Sequence, residues 1–317
     1  MTARRVFGRA CMAAVLVVAG WVVAPPVASA VPADRPASAA IGRLGVGRLG
    51  VGRLAVAAPA STATRSSPPV RPFPTRGRPD YQLGGAYRPP AGVTIVERDS
   101  TAHPAPGTYG ICYVNGFQTQ PQDTAWWRRE HPRDLLRTAS GKPVSDPGWP
   151  DEVLLDTGTA AHRRDVVRVL SRTVDRCARR GFDAVEFDNL DSWTRSRGRL
   201  SRADALATAA LLVDVAHRDG LAAGQKNAPG LGTRGRDVAG FDFAVAEECV
   251  RYDECRAYTR VYGGRVIDVE YSDALRTTFA AACRSASRPR MTILRDRDLV
   301  TPSHAAYRYR RCLVAGS

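Results

Sequence analysis

The chain has 317 residues, is 44% hydrophobic and 24% charged, and carries a formal charge of +15. That charge is uneven: residues 1–78 hold eleven arginines and one aspartate, a net of +10, leaving only +5 for residues 79–317. A nucleic-acid reader concentrates basic charge on its folded face, so this class is disfavoured and no nucleic-acid partner is expected.

The chain opens with Arg4, Arg5 and Arg9, an apolar stretch over residues 10–24, and Ala28-Ser29-Ala30 as a small-residue cleavage site. This is the pattern of a signal peptide over residues 1–30, and it predicts a secreted, extracellular protein. The apolar stretch is short for a membrane span and is followed by Pro25 and Pro26, so no stable membrane insertion is expected after cleavage. Residues 31–78 are rich in Ala, Pro, Gly and Arg and repeat Gly-Arg-Leu from Gly42, Gly47 and Gly52. Such a composition buries too little surface to offset its ordering entropy, so a disordered linker is predicted there. The folded domain is then expected over residues 79–317.

In that domain β-rich runs alternate with helical ones. Strands are predicted at 81–83, 93–97, 109–115, 153–156, 184–188, 221–227, 243–247, 266–270 and 291–294, nine where a barrel needs eight. The 153–156 run is short and reads either as a rim element or as an extra strand. Helices are predicted over 164–180 and 203–218, with Val167, Leu170, Val174 and Cys177, then Leu206, Ala209, Leu212, Val213 and Ala216, at helical spacing. Both run into basic residues followed by Gly181 and Gly220, which are helix stops. Strand following helix at this rhythm implies parallel pairing. The predicted fold class is α/β, a (β/α)8 TIM-type barrel with room for one extra strand. An open doubly wound sheet fits less well, because no glycine-rich phosphate loop follows an early strand.

Six cysteines remain once Cys11 leaves with the signal peptide, an even number that favours disulfides in an exported chain. Cys249 and Cys255 enclose a short loop and form the first expected pair. Cys283 with Cys312 would clamp the carboxyl-terminal segment, leaving Cys112 for Cys177. The spacings lack a CxxC pair, so zinc is not expected.

Residues 181–191 combine a β-rich run with Asp183, Glu186, Asp188 and Asp191. In a strand Ala184, Glu186 and Asp188 share a face, and two unpaired carboxylates do not enter an apolar core. Acids recur at other strand ends: Glu97 and Asp99, Asp156, Glu247 and Glu248, Glu270, with Lys226 and Asn227 among them. A barrel gathers these ends at one mouth, where barrel enzymes keep their catalytic residues. A ring of acids with one lysine fits acid/base chemistry, a divalent metal on Asp188, Asp191 and Glu247, or a salt-bridge network. No histidine joins the ring and glycoside hydrolysis needs only two carboxyls, so neither metal nor cofactor is expected.

The runs ICYVNGF (111–117), GFDAVEFDNLDSW (181–193), GLAAGQKN (220–227), FDFAVAEECVRYDEC (241–255), VIDVEY (266–271) and ILRDRDL (293–299) resemble the endo-α-1,4-polygalactosaminidase family, glycoside hydrolase family 114. The resemblance implies a barrel that cleaves α-1,4-linked galactosamine-containing exopolysaccharide. It also implies a catalytic pair: Asp188 in the EFDN run and Glu247 before the first cysteine of the ECVRYDEC run. Asp188 is assigned as nucleophile or stabilising carboxylate and Glu247 as general acid/base. Glu186 is either an alternative acid or a salt-bridge partner of Lys226. Lys226, Asn227, Asp156, Glu270, Tyr113 and Tyr252 are candidate substrate contacts, and Tyr81, Trp193 and Tyr271 are further aromatics able to stack on sugars. The chain departs from the family at Val114-Asn115-Gly116-Phe117, where a Ser-Ala-Gly-Ser turn is common, and at Ala246, where Asn is common. Both changes reshape the lip beside the catalytic pair. A monomer acting on a polysaccharide is expected, and a non-catalytic polysaccharide-binding barrel is the alternative.

Overall fold

The computed structural model describes residues 68–312; the expected signal peptide and residues 31–67 of the expected linker lie outside them. Nine strands follow one another around a single sheet: β1 (Pro79–Gln82), β2 (Ile95–Asp99), β3 (Tyr109–Asn115), β4 (Ala184–Asp188), β5 (Ala222–Lys226), β6 (Phe243–Glu247), β7 (Val266–Tyr271), β8 (Met291–Arg295) and β9 (Tyr309–Arg311). Neighbours from β1 to β8 are parallel, and β9 runs antiparallel beside β8. The sheet curls into a nearly closed barrel whose seam is bridged by side chains. Tyr309 Oη donates to the Pro79 carbonyl at 3.0 Å, and the buried Arg295 guanidinium reaches Asp80 Oδ1 at 3.2 Å and the Tyr81 carbonyl.

The barrel fold is as the sequence predicts, and of the two readings of the 153–156 run the rim element is the one observed, while the extra strand lies elsewhere. Residues 153–156 form only isolated bridges, Ser145 with Val153, Gln118 with Leu154 and Leu135 with Leu155, in a rim excursion between β3 and β4. The ninth strand, β9, is three residues of Tyr and Arg with no apolar run to mark it.

Among the described residues six α-helices pack outside: α1 (Thr124–Glu130) and α2 (Ala160–Arg179) before β4, α3 (Arg202–Arg218) before β5, α4 (Arg234–Asp237) before β6, α5 (Cys255–Tyr262) before β7 and α6 (Phe279–Ala282) before β8. The two long helices are capped by their own sequence. Thr159 Oγ1 accepts the His162 amide at 3.1 Å, and Ser201 and Asp204 exchange hydrogen bonds in a capping box, each cap worth about 1 kcal/mol. Gly181 (φ +85°) and Gly220 (φ +79°) take the left-handed turns beyond the helix ends that L-residues resist.

Strand parity sorts the side chains. Ile111, Ala184, Ala222, Val245, Ile267 and Ile293 fill the barrel interior, while Val114, Val185, Phe187, Ala223 and Ala244 meet the helices. The interior is also closed from its amino-terminal end, and here the expected linker boundary at residue 78 is too late. Phe73 is 3% exposed, its ring stacked on Phe243 at 4.0 Å and edge-on to Tyr109 at 5.5 Å. Arg71 pairs with Asp183 at 2.6 Å. A single aromatic in a polar, Pro-rich segment finds a barrel end to fill, an event composition does not register.

Three disulfides are present: Cys112–Cys177 fastens β3 to α2, Cys249–Cys255 closes the turn from β6 into α5, and Cys283–Cys312 ties the end of α6 to the residue after β9.

Candidate active site

At the carboxyl ends of the strands lies a cavity of about 570 Å³. Its centre is Lys226, the last residue of β5, 2% exposed in its side chain. Nζ lies 3.2 Å from Asp188 Oδ2, 3.5 Å from Glu247 Oε2 and 3.5 Å from Glu186 Oε1, and donates to Tyr81 Oη at 2.9 Å. Burial opposes a charge there, but Asp188, Glu186 and Glu247 together hold the lysine well above its usual range, so it is an ammonium ion.

The two outer carboxylates are held differently. Asp188 accepts from the Tyr113 hydroxyl at 3.0 Å and from the Asn189 amide at 2.6 Å. Glu247 accepts from Asn227 Nδ2 at 2.9 Å and from the Tyr271 hydroxyl, while its own amide donates to Asn227 Oδ1 at 2.8 Å. Burial pushes the Glu247 carboxyl up, but Lys226, Tyr271 and Asn227 outweigh it and keep the group below the usual carboxylate range. Glu186 is fully buried; burial lifts it to about 7 against the pull of Lys226. The backbone turns left-handed immediately after three of these strands, at Asn189 (φ +62°), Asn227 (φ +47°) and Glu248 (φ +60°). Such turns are costly for residues with a Cβ and cluster where a chain must be re-aimed at a site. Here they let Asn189 and Asn227 fold back beside the acids that precede or face them.

Asp188, Glu247, Lys226, Asn227 and Tyr113 therefore meet in one cavity, with Tyr81 and Tyr271 also lining it. Glu186 is the salt-bridge partner of Lys226 and lies beneath the cavity rather than in its wall. Three expected contacts lie elsewhere. Glu270 is one residue out of phase with the inward Val269 and Tyr271, so it faces outward, beside Asp268, and accepts the Val250 amide at 2.8 Å. Asp156 ends the rim excursion rather than a barrel strand; it pairs with His162 at 3.0 Å and caps the Gly158 amide. Tyr252 is 52% exposed, its ring under the Arg251 guanidinium, and does not line the cavity. Trp193 packs against the outer core.

Several lining residues carried no strand-end signature. The rim supplies Asp146, Trp149 and Glu152, the loop after β4 supplies Arg195, and the loop after β8 supplies Arg297. Glu152 is bound by Asn115 Nδ2 at 3.0 Å and lifted by burial to about 7. Arg195 ties Asp146 at 2.5 Å to Asp191 at 3.0 Å. Trp149 is 64% exposed, a large apolar surface at the lip. The wall holds seven acids, Asp99, Asp146, Glu152, Asp188, Asp191, Glu247 and Asp298, against Lys226, Arg195 and Arg297. In a chain of formal charge +15, the cavity is locally acidic.

A sequence model described as glycoside-hydrolase family GH114 matches residues 58–314. None of the curated protein sequences matches this chain. Among solved structures, Aspergillus fumigatus Ega3 in complex with galactosamine is similar at a TM-score of 0.58 and 20% identity, over 73% of this chain and 96% of that one. The glycoside hydrolase domain of PelA from Pseudomonas aeruginosa is similar at a TM-score of 0.52 and 15% identity, over 71% of this chain and 96% of that one. At these identities the likeness is one of fold.

Proposed function

Because the chain belongs to glycoside-hydrolase family GH114 and is thus a glycoside hydrolase, we propose that it cleaves an α-1,4-linked galactosamine-containing polysaccharide outside the cell. It cuts within the polymer rather than from its ends, with Asp188 and Glu247 as the carboxyl pair. The observation that carries this reading is the shared contact of both carboxylates with one buried ammonium at the barrel mouth, 3.2 and 3.5 Å away. Their contacting oxygens are no farther apart than the sum of those distances. That limit sits near the bottom of the inverting range, ~6.5–9.5 Å, and leaves room for the ~5–5.5 Å of retaining enzymes.

In the retaining form, Glu247 protonates the glycosidic oxygen as the bond to the anomeric carbon breaks, and the Asp188 carboxylate bonds to that carbon. A water then attacks the anomeric carbon, Glu247 takes its proton, and Asp188 is released. Tyr113 and the Asn189 amide hold and aim the Asp188 carboxyl, while Lys226 neutralises the charge two adjacent carboxylates would otherwise accumulate. The acidic wall suits a cationic amino sugar, and galactosamine is the ligand of the Aspergillus fumigatus structure. The opening Arg-apolar-Ala-Ser-Ala sequence and the three disulfides support an exported protein.

Incubation of the protein with a partly deacetylated α-1,4-galactosamine polymer tests the reading. Release of new reducing ends with a rapid fall in polymer length is expected; binding without release would instead make the protein a polysaccharide-binding barrel.

A further inference from the structure

Beneath Lys226 the barrel buries a second pair of acids. Glu97, inward on β2, and Glu186, inward on β4, are 1% and 0% exposed, and none of their four carboxyl oxygens has a conventional hydrogen-bonding partner. Their carboxyls adjoin each other across the interior face of β3, and among the described residues the only cation within ion-pair reach is Lys226, 3.5 Å from Glu186. The other polar groups around them are Tyr81 on β1, Tyr113 on β3, Asp188 on β4 and Glu247 on β6; the Tyr271 of β7 is engaged with Glu247, and the Arg295 of β8 is turned away to Asp80. Two ionised carboxylates side by side in such a place would be prohibitively unfavourable, and Lys226 is already shared with Asp188 and Glu247.

We propose that Glu97 and Glu186 share one proton and act as positioning residues. Glu97 supplies the proton, and at and above neutral pH Glu186 carries the charge that fixes the Lys226 ammonium between Asp188 and Glu247. The inference rests on the proposed catalytic pair for its activity consequence but not for its titration. Burial and the neighbouring Glu186 push Glu97 far above the usual carboxylate range, and burial lifts Glu186 to about 7. The folded state therefore keeps a proton that an unfolded glutamate releases near about pH 4.3. Stability from this pair is complete below that pH and is lost as pH rises toward the folded-state values.

The full-length protein is compared with its Glu97→Gln and Glu97→Ala variants by thermal unfolding at pH 5 and pH 8 and by kcat and KM on the galactosamine polymer. Glutamine has no proton to lose yet still donates to Glu186. The Glu97→Gln variant is therefore expected to gain Tm relative to the parent as pH rises and to keep kcat within a few fold. The alanine leaves Glu186 and Lys226 unanchored, and kcat is expected to fall by ~10²-fold with KM little changed, the scale of a misplacement of about 1 Å. A Tm difference between Glu97→Gln and parent that does not change with pH would overturn the shared proton. Loss of kcat in Glu97→Gln equal to that in Glu97→Ala would overturn the positioning role. Should the parent not cut the polymer, the thermal comparison decides the shared proton independently of the catalytic reading.

Discussion

Single side chains at the mouth of the barrel set which proton moves when. Glu247 is assigned the acid role, yet Lys226, Tyr271 and Asn227 hold it ionised in the free protein, so only a minority of molecules carry the proton at neutral pH. Activity is expected to have an optimum on the acid side, with the alkaline limb reporting Glu247. Tyr271→Phe removes one hydrogen bond to the carboxylate and raises its pKa. The alkaline limb of the kcat/KM profile should then move to higher pH while the acid limb stays. Movement of the acid limb alone would reverse the roles of Asp188 and Glu247. The sequence made the place of the cavity legible where acids end barrel strands: Asp188, Glu247, Lys226 and Asn227 all lie in its wall. Glu270 was misread because a strand-end position says nothing about parity, and one residue decides whether a side chain meets substrate or helix. Glu97 sits in a run, Ile95-Val96-Glu97-Arg98-Asp99, whose burial became visible only when β1 and β3 enclosed it.

Elements hold those residues in register, and they are tied together more firmly than packing alone requires. The Cys112–Cys177 bridge closes a separation of 65 residues between β3 and α2, for which chain entropy gives roughly 4 kcal/mol. Replacing both cysteines by alanine should lower the unfolding free energy by an amount of that order without changing the pH profile of activity, as read by urea unfolding followed by circular dichroism. A shifted pH profile would mean that the bridge also positions Tyr113, the next residue along β3. The long helices and the main strands were readable from periodicity and from glycine stops. The rim over residues 117–157 was legible only at 153–156, because its pairing is a set of single bridges between distant residues. That rim brings Asp146, Trp149 and Glu152 to the cavity. The plug at Phe73 was missed for a related reason: its partners, Phe243 and Tyr109, are 170 and 36 residues away along the chain.

Across the whole molecule, charge is sorted by place. The basic excess lies mainly in residues 1–78, whereas the cavity wall is acidic. A cationic polymer is drawn to such a cleft through its field, and that field is screened over about 30 Å at 0.01 M salt but only about 8 Å at 0.15 M. For a deacetylated polymer kcat/KM should fall several-fold across that range, while a fully N-acetylated polymer should respond little. Equal salt dependence of the two would assign recognition to hydroxyl and stacking contacts, Trp149 among them, instead of to charge. The most direct test of the account is the reducing-end release rate of the parent beside Asp188→Asn and Glu247→Gln on the same galactosamine polymer. Each single variant is predicted to lose ~10²–10⁴-fold in kcat while still binding the polymer. Retention of parental activity by either one would contradict the assignment of the pair.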